Sequence, residues 1–326
     1  MDDLIVVKDL KKWFPLAAGL FSRTKRKYVR AVDGVSFSIR EGEIFCLVGE
    51  TGSGKTTTGR LILRLETPTS GEIFFEGRNI FSLSKREMKE FRRKGQMIFQ
   101  DPFSSLDPRL TIFDNVSEGL IIHKIGDNRE ERLNIISEAL ESVGLHPPED
   151  FLFKYPHELS GGQLQRVAIV SALVLKPKFI VADEPVSMLD MSTRGAVIKV
   201  MLDLRREMNL TFLLITHDLG LVKYIGDRVA VMYLGKIVEE GPAEDLIDAP
   251  CHPYSQALIS AVLSPDPKKK IRVMQIKGDI SMSLETFSGC RFAPRCMLAD
   301  EKCVREEPEL VEVSNGHYVA CHKAEL

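Results

Sequence analysis

Cysteine is scarce in this chain until close to position 300. Six occur in 326 residues, and before position 290 there are only Cys46 and Cys251. Spacing this sparse excludes a fold stapled throughout by disulfides. Long apolar runs are also missing: no stretch approaches the ~18–20 residues that a membrane-spanning helix needs. The opening, MDDLIVVKDLKK, is acidic where a secretion signal is basic and then apolar. Charge of one sign is absent as well. Lys and Arg number 44 against 46 Asp and Glu, a net charge of −2, which excludes a general attraction to nucleic acid or to an anionic membrane. The expectation is a cytosolic chain of two or three structural units that works at a membrane only if another protein holds it there.

What is present begins with EGEIFCLVGETGSGKTTTGRLILRL. Ile44 to Val48 read as a buried strand, followed by a Gly-rich turn and an apolar-periodic helix. The turn, Gly49, Glu50, Thr51, Gly52, Ser53, Gly54, Lys55 and Thr56, with Thr57 behind it, has the Walker A spacing of Gly, four residues, then Gly-Lys-Ser/Thr. Glycines let backbone N–H groups curl around phosphate oxygens, and the helix N-terminus adds partial positive charge. Lys55 suits the β- and γ-phosphates, and Thr56 suits Mg2+. A chance Gly-rich turn would lack this strand-loop-helix setting. Further along, KPKFIVADEP reads as a short strand, Phe179 to Ala182, that ends in Asp183 and Glu184. Asp183 suits the Mg2+ shell and Glu184 an attacking water. An acidic turn after a strand is common; joined to the phosphate loop, it indicates an NTPase.

YPHELSGGQLQRVAIVSAL decides which kind. Ser160, Gly161 and Gly162, with Gln163, open a helix about twenty residues before the acids and form a second anion site that one nucleotide does not require. Here the sequence resembles the ABC-transporter ATPases, in which LSGGQ faces the γ-phosphate held by the opposite subunit. The resemblance implies a head-to-tail dimer sandwiching two ATP molecules. Further matches follow in the family's order. Gln100 in GQMIFQDP resembles the Q-loop glutamine that touches Mg2+ or water and links the site to the membrane partner. Asp190 in SMLD fits the D-loop at the dimer interface, and His217 in TFLLITHD fits the switch histidine at the γ-phosphate. An adenine base needs an aromatic platform. Phe14 in LKKWFP occupies the expected place, with Trp13 and Tyr28 as alternatives, and any of the three could instead be strand packing.

The implied fold class is α/β: an ABC-type, RecA-like core with an antiparallel β subdomain over residues 1–248, interrupted by a helical subdomain at about 101–164. Leu133, Ile136, Leu140 and Val143 recur there at helical spacing. LAAGLFSRTKRKY reads as a solvated hairpin insertion, and RVAVMYLGKIVEEG as a hairpin about a Leu-Gly turn. From 249 to 326 the chain departs from the minimal ABC module. His252, Pro253 and Tyr254 match the HPY extension of oligopeptide and dipeptide importer ATPases, and SPDPKKKIRV reads as a solvated linker.

Cys290, Cys296, Cys303 and Cys321 stand six, seven and eighteen positions apart. These intervals fit neither paired CxxC knuckles nor the compact ferredoxin run, yet they allow four thiolates to converge on one centre. Zn2+, an iron–sulfur cluster, disulfides and unligated thiols all stay open on spacing alone. Some members of the peptide-importer family carry a [4Fe–4S] cluster in such an extension, which the resemblance implies here as a small metal-binding tail. It reads first as a structural staple, because so short a segment buries little core; redox gating is the rival.

The function implied is that of the ATP-hydrolysing subunit of a peptide-type ABC importer, peripheral at the cytoplasmic face of the membrane. Its implied partners are two transmembrane permease subunits, a paralogous ATPase in a heterodimer and an extracytoplasmic solute-binding protein, with no nucleic acid. Oligosaccharide or nickel import, and a soluble ABC ATPase of repair, translation or iron–sulfur assembly, are the alternatives. Repair ATPases need a long coiled coil and translation factors two cassettes, and this sequence has neither.

Overall fold

Alternating apolar residues build the first strands. The computed structural model describes residues 3–16, 27–261 and 288–324. β1 (Asp3–Pro15) buries Ile5 and Val7, and β2 (Tyr28–Arg40) buries Val35, Phe37 and Ile39, at the period of a strand with one covered face. The two meet where Leu16 N–H donates to the Lys27 carbonyl; most of the basic insertion between them, and the proline-containing linker, lie outside the described residues. β3 (Ile44–Val48) is buried at every position and leads through the phosphate loop into α1 (Lys55–Ile62). β4 (Ser70–Phe75) pairs antiparallel with β1, Ile5 opposite Phe75 and Val7 opposite Ile73, and β5 (Arg78–Asn79) completes a four-stranded sheet in the order β2-β1-β4-β5.

The chain divides into two compact units, one of residues 40–43 and 82–214, the other of the described parts of 3–39, 44–81 and 215–326. In the first, α2 (Lys85–Lys94) starts at a reciprocal Ser84–Glu87 capping box and runs into β6 (Gly95–Ile98). Then come α3 (Pro102–Ser105), α4 (Ile112–His123), α5 (Arg129–Ser142), α6 (Glu149–Leu152) and α7 (Gly161–Leu173). The expected stripe of α5 is observed: Ile136, Leu140 and Val143 are buried and Leu133 is half-buried. α4, α5 and α7 pack on one another. β7 (Phe179–Asp183) lies parallel to β6, with Met97 opposite Val181, and α8 (Met191–Met208) leads to β8 (Thr211–Thr216), within which the chain passes to the other unit.

That second unit resumes with α9 (Leu219–Ile225), β9 (Arg228–Tyr233) and β10 (Lys236–Pro242). β9 runs parallel to β3, and the β9–β10 hairpin turns at Leu234 and Gly235, both with positive φ (42° and 84°), as a two-residue turn matched to strand twist requires. α10 (Ala243–Asp248) and α11 (Pro253–Ser260) follow, and after residue 288 come α12 (Glu301–Arg305), β11 (Val311–Ser314) and β12 (His317–Val319). β12 pairs antiparallel with β10, Glu239 opposite Val319 and Glu240 opposite Tyr318. A tail that reads in sequence mainly as a cysteine carrier therefore also supplies two strands.

Candidate functional site

Close packing explains the glycines of the phosphate loop. A Cβ on Gly49 would lie 2.2 Å from the Met232 carbonyl oxygen, and one on Gly54 would lie 2.1 Å from that of Ala31. Both residues also have positive φ, 148° and 109°. α1 opens at Gly54 without a side-chain cap, so no side chain competes for its first N–H groups. The Lys55 ammonium is buried under the loop, donating to the carbonyls of Gly49 at 2.7 Å and Glu50 at 3.0 Å. Thr51 and Gly52 are exposed, Ser53 is buried, and Thr56 and Thr57 are half-buried. GETGSGKT thus spans the loop, residues 49–54, and the first turn of α1.

The same loop is gripped by the C-terminal region, which motif reading missed. Tyr254 Oη accepts the Glu50 N–H at 2.8 Å, and Arg295 forks onto the Glu50 carboxylate at 2.9 and 3.3 Å. Phe292 packs against Tyr233, Tyr254 and His252, with centroids 5.3, 5.5 and 5.7 Å away. Arg291 pairs with buried Asp33 and donates to the Leu234 carbonyl. Burial works against ionisation of Asp33, but Arg291 and the indole N–H of Trp13 outweigh it and hold the carboxyl below its ordinary range. The only available signal was CRFAPRC itself, in which two arginines stand inside a cysteine pair.

The aromatic candidates separate by their partners. Trp13 is tied to Asp33 through its indole N–H at 2.9 Å and covered by Arg30 at 4.5 Å. Phe14 is 37% exposed with Lys12 at 4.8 Å from the ring centroid, and Tyr28 is exposed 6.4 Å from Trp13. His217 follows β8 as an exposed residue, and Asp218 beside it caps α9 by accepting from Leu221 N–H.

In the other unit, Asp183 is buried at the end of β7, while Glu184 turns the chain with φ 47°. The Gln100 amide donates to Glu184 Oε2 at 3.1 Å, so two residues 84 positions apart in sequence meet. Ser160 caps α7: its hydroxyl accepts from Gln163 N–H, and Gln163 Oε1 accepts from Ser160 N–H. Gly162 admits no Cβ, which would lie 2.1 Å from Thr193 Cγ2, whereas Gly161 is exposed. Asp190 caps α8. Its carboxylate takes the Ser192 and Thr193 hydroxyls and the Thr193 N–H, which hold it far below the ordinary carboxylate range. Met188 and Met191 beside it are 67% and 83% exposed.

The four tail cysteines are free thiols. Burial pushes Cys290 up to about 11, with Cys321 and Cys303 adding to the shift; burial also raises Cys321, with Cys296 and Cys303 adding there. Cys321 thus senses Cys296 and Cys303, and Cys290 senses Cys321 and Cys303. Cys296 Sγ accepts from Leu298 N–H at 3.4 Å and Cys321 Sγ from Lys323 N–H at 3.3 Å. Among the described residues, the ligating atoms gathered within 4.8 Å belong instead to Glu239, Cys251 and His317. That trio is accounted for without an ion. Glu239 accepts the N–H groups of Cys251 and His252 at 2.7 and 3.0 Å and meets His317 Nε2 at 2.8 Å.

Comparison with known proteins adds the family. The ABC transporter model matches residues 32–187, and the model of the oligopeptide/dipeptide transporter C-terminal region matches 238–303. The oligopeptide transport ATP-binding protein AppF of Bacillus subtilis is 46% identical over 326 residues, covering 98% of this chain and 97% of its own. A dimeric ATP-binding cassette solved in a post-hydrolysis state with ADP and phosphate superposes with TM-score 0.65 at 31% identity, over 73% of this chain and 98% of that one. A Clostridium perfringens cassette, part of an ABC transporter complex, gives TM-score 0.64 at 26% identity, over 76% and 92%.

Proposed function

This chain belongs to the ABC transporter ATP-binding family and carries the oligopeptide/dipeptide-transporter C-terminal region, and from that premise we propose how its residues energise peptide import. The ATP phosphates bind in the loop from Gly49 to Thr57, where Lys55 moves from its carbonyl partners to the β- and γ-phosphates. Phe14, exposed in the LKKWFP stretch, stacks on adenine, with Tyr28, equally exposed, as the alternative. Ser160, Gly161, Gly162 and Gln163 of a second cassette close over the γ-phosphate, and Asp190 crosses between the two cassettes. The exposed Met188 and Met191 beside Asp190 support burial there in a dimer.

Glu184, steadied by Gln100, takes a proton from water as the water oxygen attacks the γ-phosphorus and the bridging P–O bond breaks, releasing ADP and phosphate; His217 contacts the transferring group. Thr56, Gln100 and Asp183 would hold Mg2+, an all-oxygen donor set that suits this hard cation. When bound, it neutralises charge developing on the phosphates. The observation that carries the reading is the buried Lys55 under a glycine-shaped loop ahead of α1. In the assembled transporter, Glu184→Gln is expected to retain ATP binding and lose at least about 100-fold in hydrolysis, within the usual range for general-base removal. Normal turnover would refute the assignment.

Among the described residues no helix is long and apolar enough to cross a membrane. The subunit acts through two permease subunits at the cytoplasmic face, beside a paralogous ATPase, with a solute-binding protein choosing cargo. The relative named above favours peptide cargo over sugar or nickel, and a transporter over a soluble repair or assembly role.

Cys290, Cys296, Cys303 and Cys321 would hold a [4Fe–4S] cluster. Four free thiols form a soft donor set, and two of them already accept N–H···S bonds. Zn2+ held by the same four thiolates is the alternative occupant. A bound cluster crosslinks the tail, a structural role in a segment with little core.

A further inference from the structure

We infer that the C-terminal region is a positioning element of the nucleotide site, with Tyr254 and Arg295 acting on the phosphate loop through Glu50. The inference rests on the reading of residues 49–56 as the ATP-binding loop.

One peptide group is held from both sides. The unit joining Gly49 to Glu50 offers its N–H to Tyr254 Oη at 2.8 Å and its carbonyl to Lys55 Nζ at 2.7 Å. In a trans peptide these two groups point in opposite directions. The tyrosine hydroxyl therefore grips one edge of the plane while the lysine ammonium is held at the other. Rotation of that plane breaks both bonds, so the Tyr254 hydroxyl helps to set where Lys55 waits.

The second grip is electrostatic. Glu50 puts a carboxylate inside a loop built for a polyanion, and the Arg295 fork at 2.9 and 3.3 Å cancels it in the geometry that guanidinium and carboxylate share. Arg295 Nη1 also donates to Tyr233 Oη at 3.4 Å, which fixes the fork from behind. Without Arg295, the Glu50 charge would oppose the incoming phosphates.

Both groups are themselves held rigidly. Tyr254 is fully buried, its ring 4.6 Å from Tyr233 and 5.5 Å from Phe292. It sits in the first turn of α11, capped by His252 Nδ1, which accepts the Tyr254 N–H at 3.0 Å. Arg295 stands beside Cys296, and the buried Arg291–Asp33 pair ties down the start of the same stretch.

The test is equilibrium binding of magnesium AMP-PNP to the full-length chain by calorimetry, with thermal melting of each variant alongside. Arg295→Gln is expected to weaken binding at least about tenfold, and Tyr254→Phe about three- to tenfold, the range for one charged and one neutral hydrogen bond. Adding Glu50→Gln to Arg295→Gln should recover most of the loss, because no charge is left to cancel. In the assembled transporter the two single variants, Arg295→Gln and Tyr254→Phe, should raise KM for ATP by more than they lower kcat, a split that general loss of structure does not produce. Affinities within twofold of wild type for both single variants would overturn the inference, as would losses from Arg295→Gln and Glu50→Gln that simply multiply. If Arg295→Gln does not fold, Tyr254→Phe, which removes one oxygen and keeps the ring, decides alone. A wild-type chain that fails to bind AMP-PNP sinks the reading of the loop instead.

Discussion

Among single side chains, His252 is the one whose protonation bears most directly on the fold. Burial pushes its imidazole down to about 3, and Nδ1 must stay unprotonated to accept the Tyr254 N–H. The unfolded chain takes up this proton near 6.5, so below that pH the unfolded state binds more protons and stability rises with pH. The contribution is complete above about 6.5 and is lost as pH falls toward 3, at up to ~1.4 kcal/mol per pH unit. Urea unfolding between pH 5 and 7.5 should show this slope in the wild type and a shallower one in His252→Asn, which keeps a capping side chain; parallel slopes would disprove the assignment. His252 could be singled out in the sequence as part of HPY, but its neutrality could not, because burial depends on residues such as Phe292, forty positions away.

Elements show where local chemistry suffices to read a fold. The phosphate loop, the acids after β7, the cap of α7 and the Leu234–Gly235 turn each follow from a few adjacent residues, and the structure forms all of them. The junction of α7 with α8 needs more than adjacency. Gly162 is required because Thr193, from the next helix, fills the space a side chain would use. Gly162→Ala is expected to cost about 1–3 kcal/mol of stability through overpacking. Gly162→Ala with Thr193→Ser should regain most of it, since the clashing methyl is gone and Thr193 Cβ stands 3.4 Å from where the alanine methyl would sit. Thermal melts of the single and double variants check this; equal destabilisation would place the strain elsewhere. The pairing of β12 with β10 was not legible, because His317, Tyr318 and Val319 are too few to show a strand period.

For the molecule as a whole, the cysteines and the nucleotide loop belong to one continuous assembly of side chains within one unit. Arg291 and Arg295 stand between Cys290 and Cys296 and reach Asp33 and Glu50. Sequence spacing exposes the cysteines but not these reaches, which span 258 and 245 positions. Protein prepared without air should carry about four irons and four acid-labile sulfides per chain, and all four Cys→Ser variants should lose them together; one zinc per chain would replace the cluster with a structural zinc site. The β10–β12 pairing has a further consequence, for synthesis. β10 presents a row of unpaired backbone groups until its cover arrives, and Val319 follows Glu239, its partner, by 80 positions. At ~5–20 residues per second, that edge emerges from the ribosome about 4–16 s before its partner. During that interval nascent chains are open to pairing with one another along that edge.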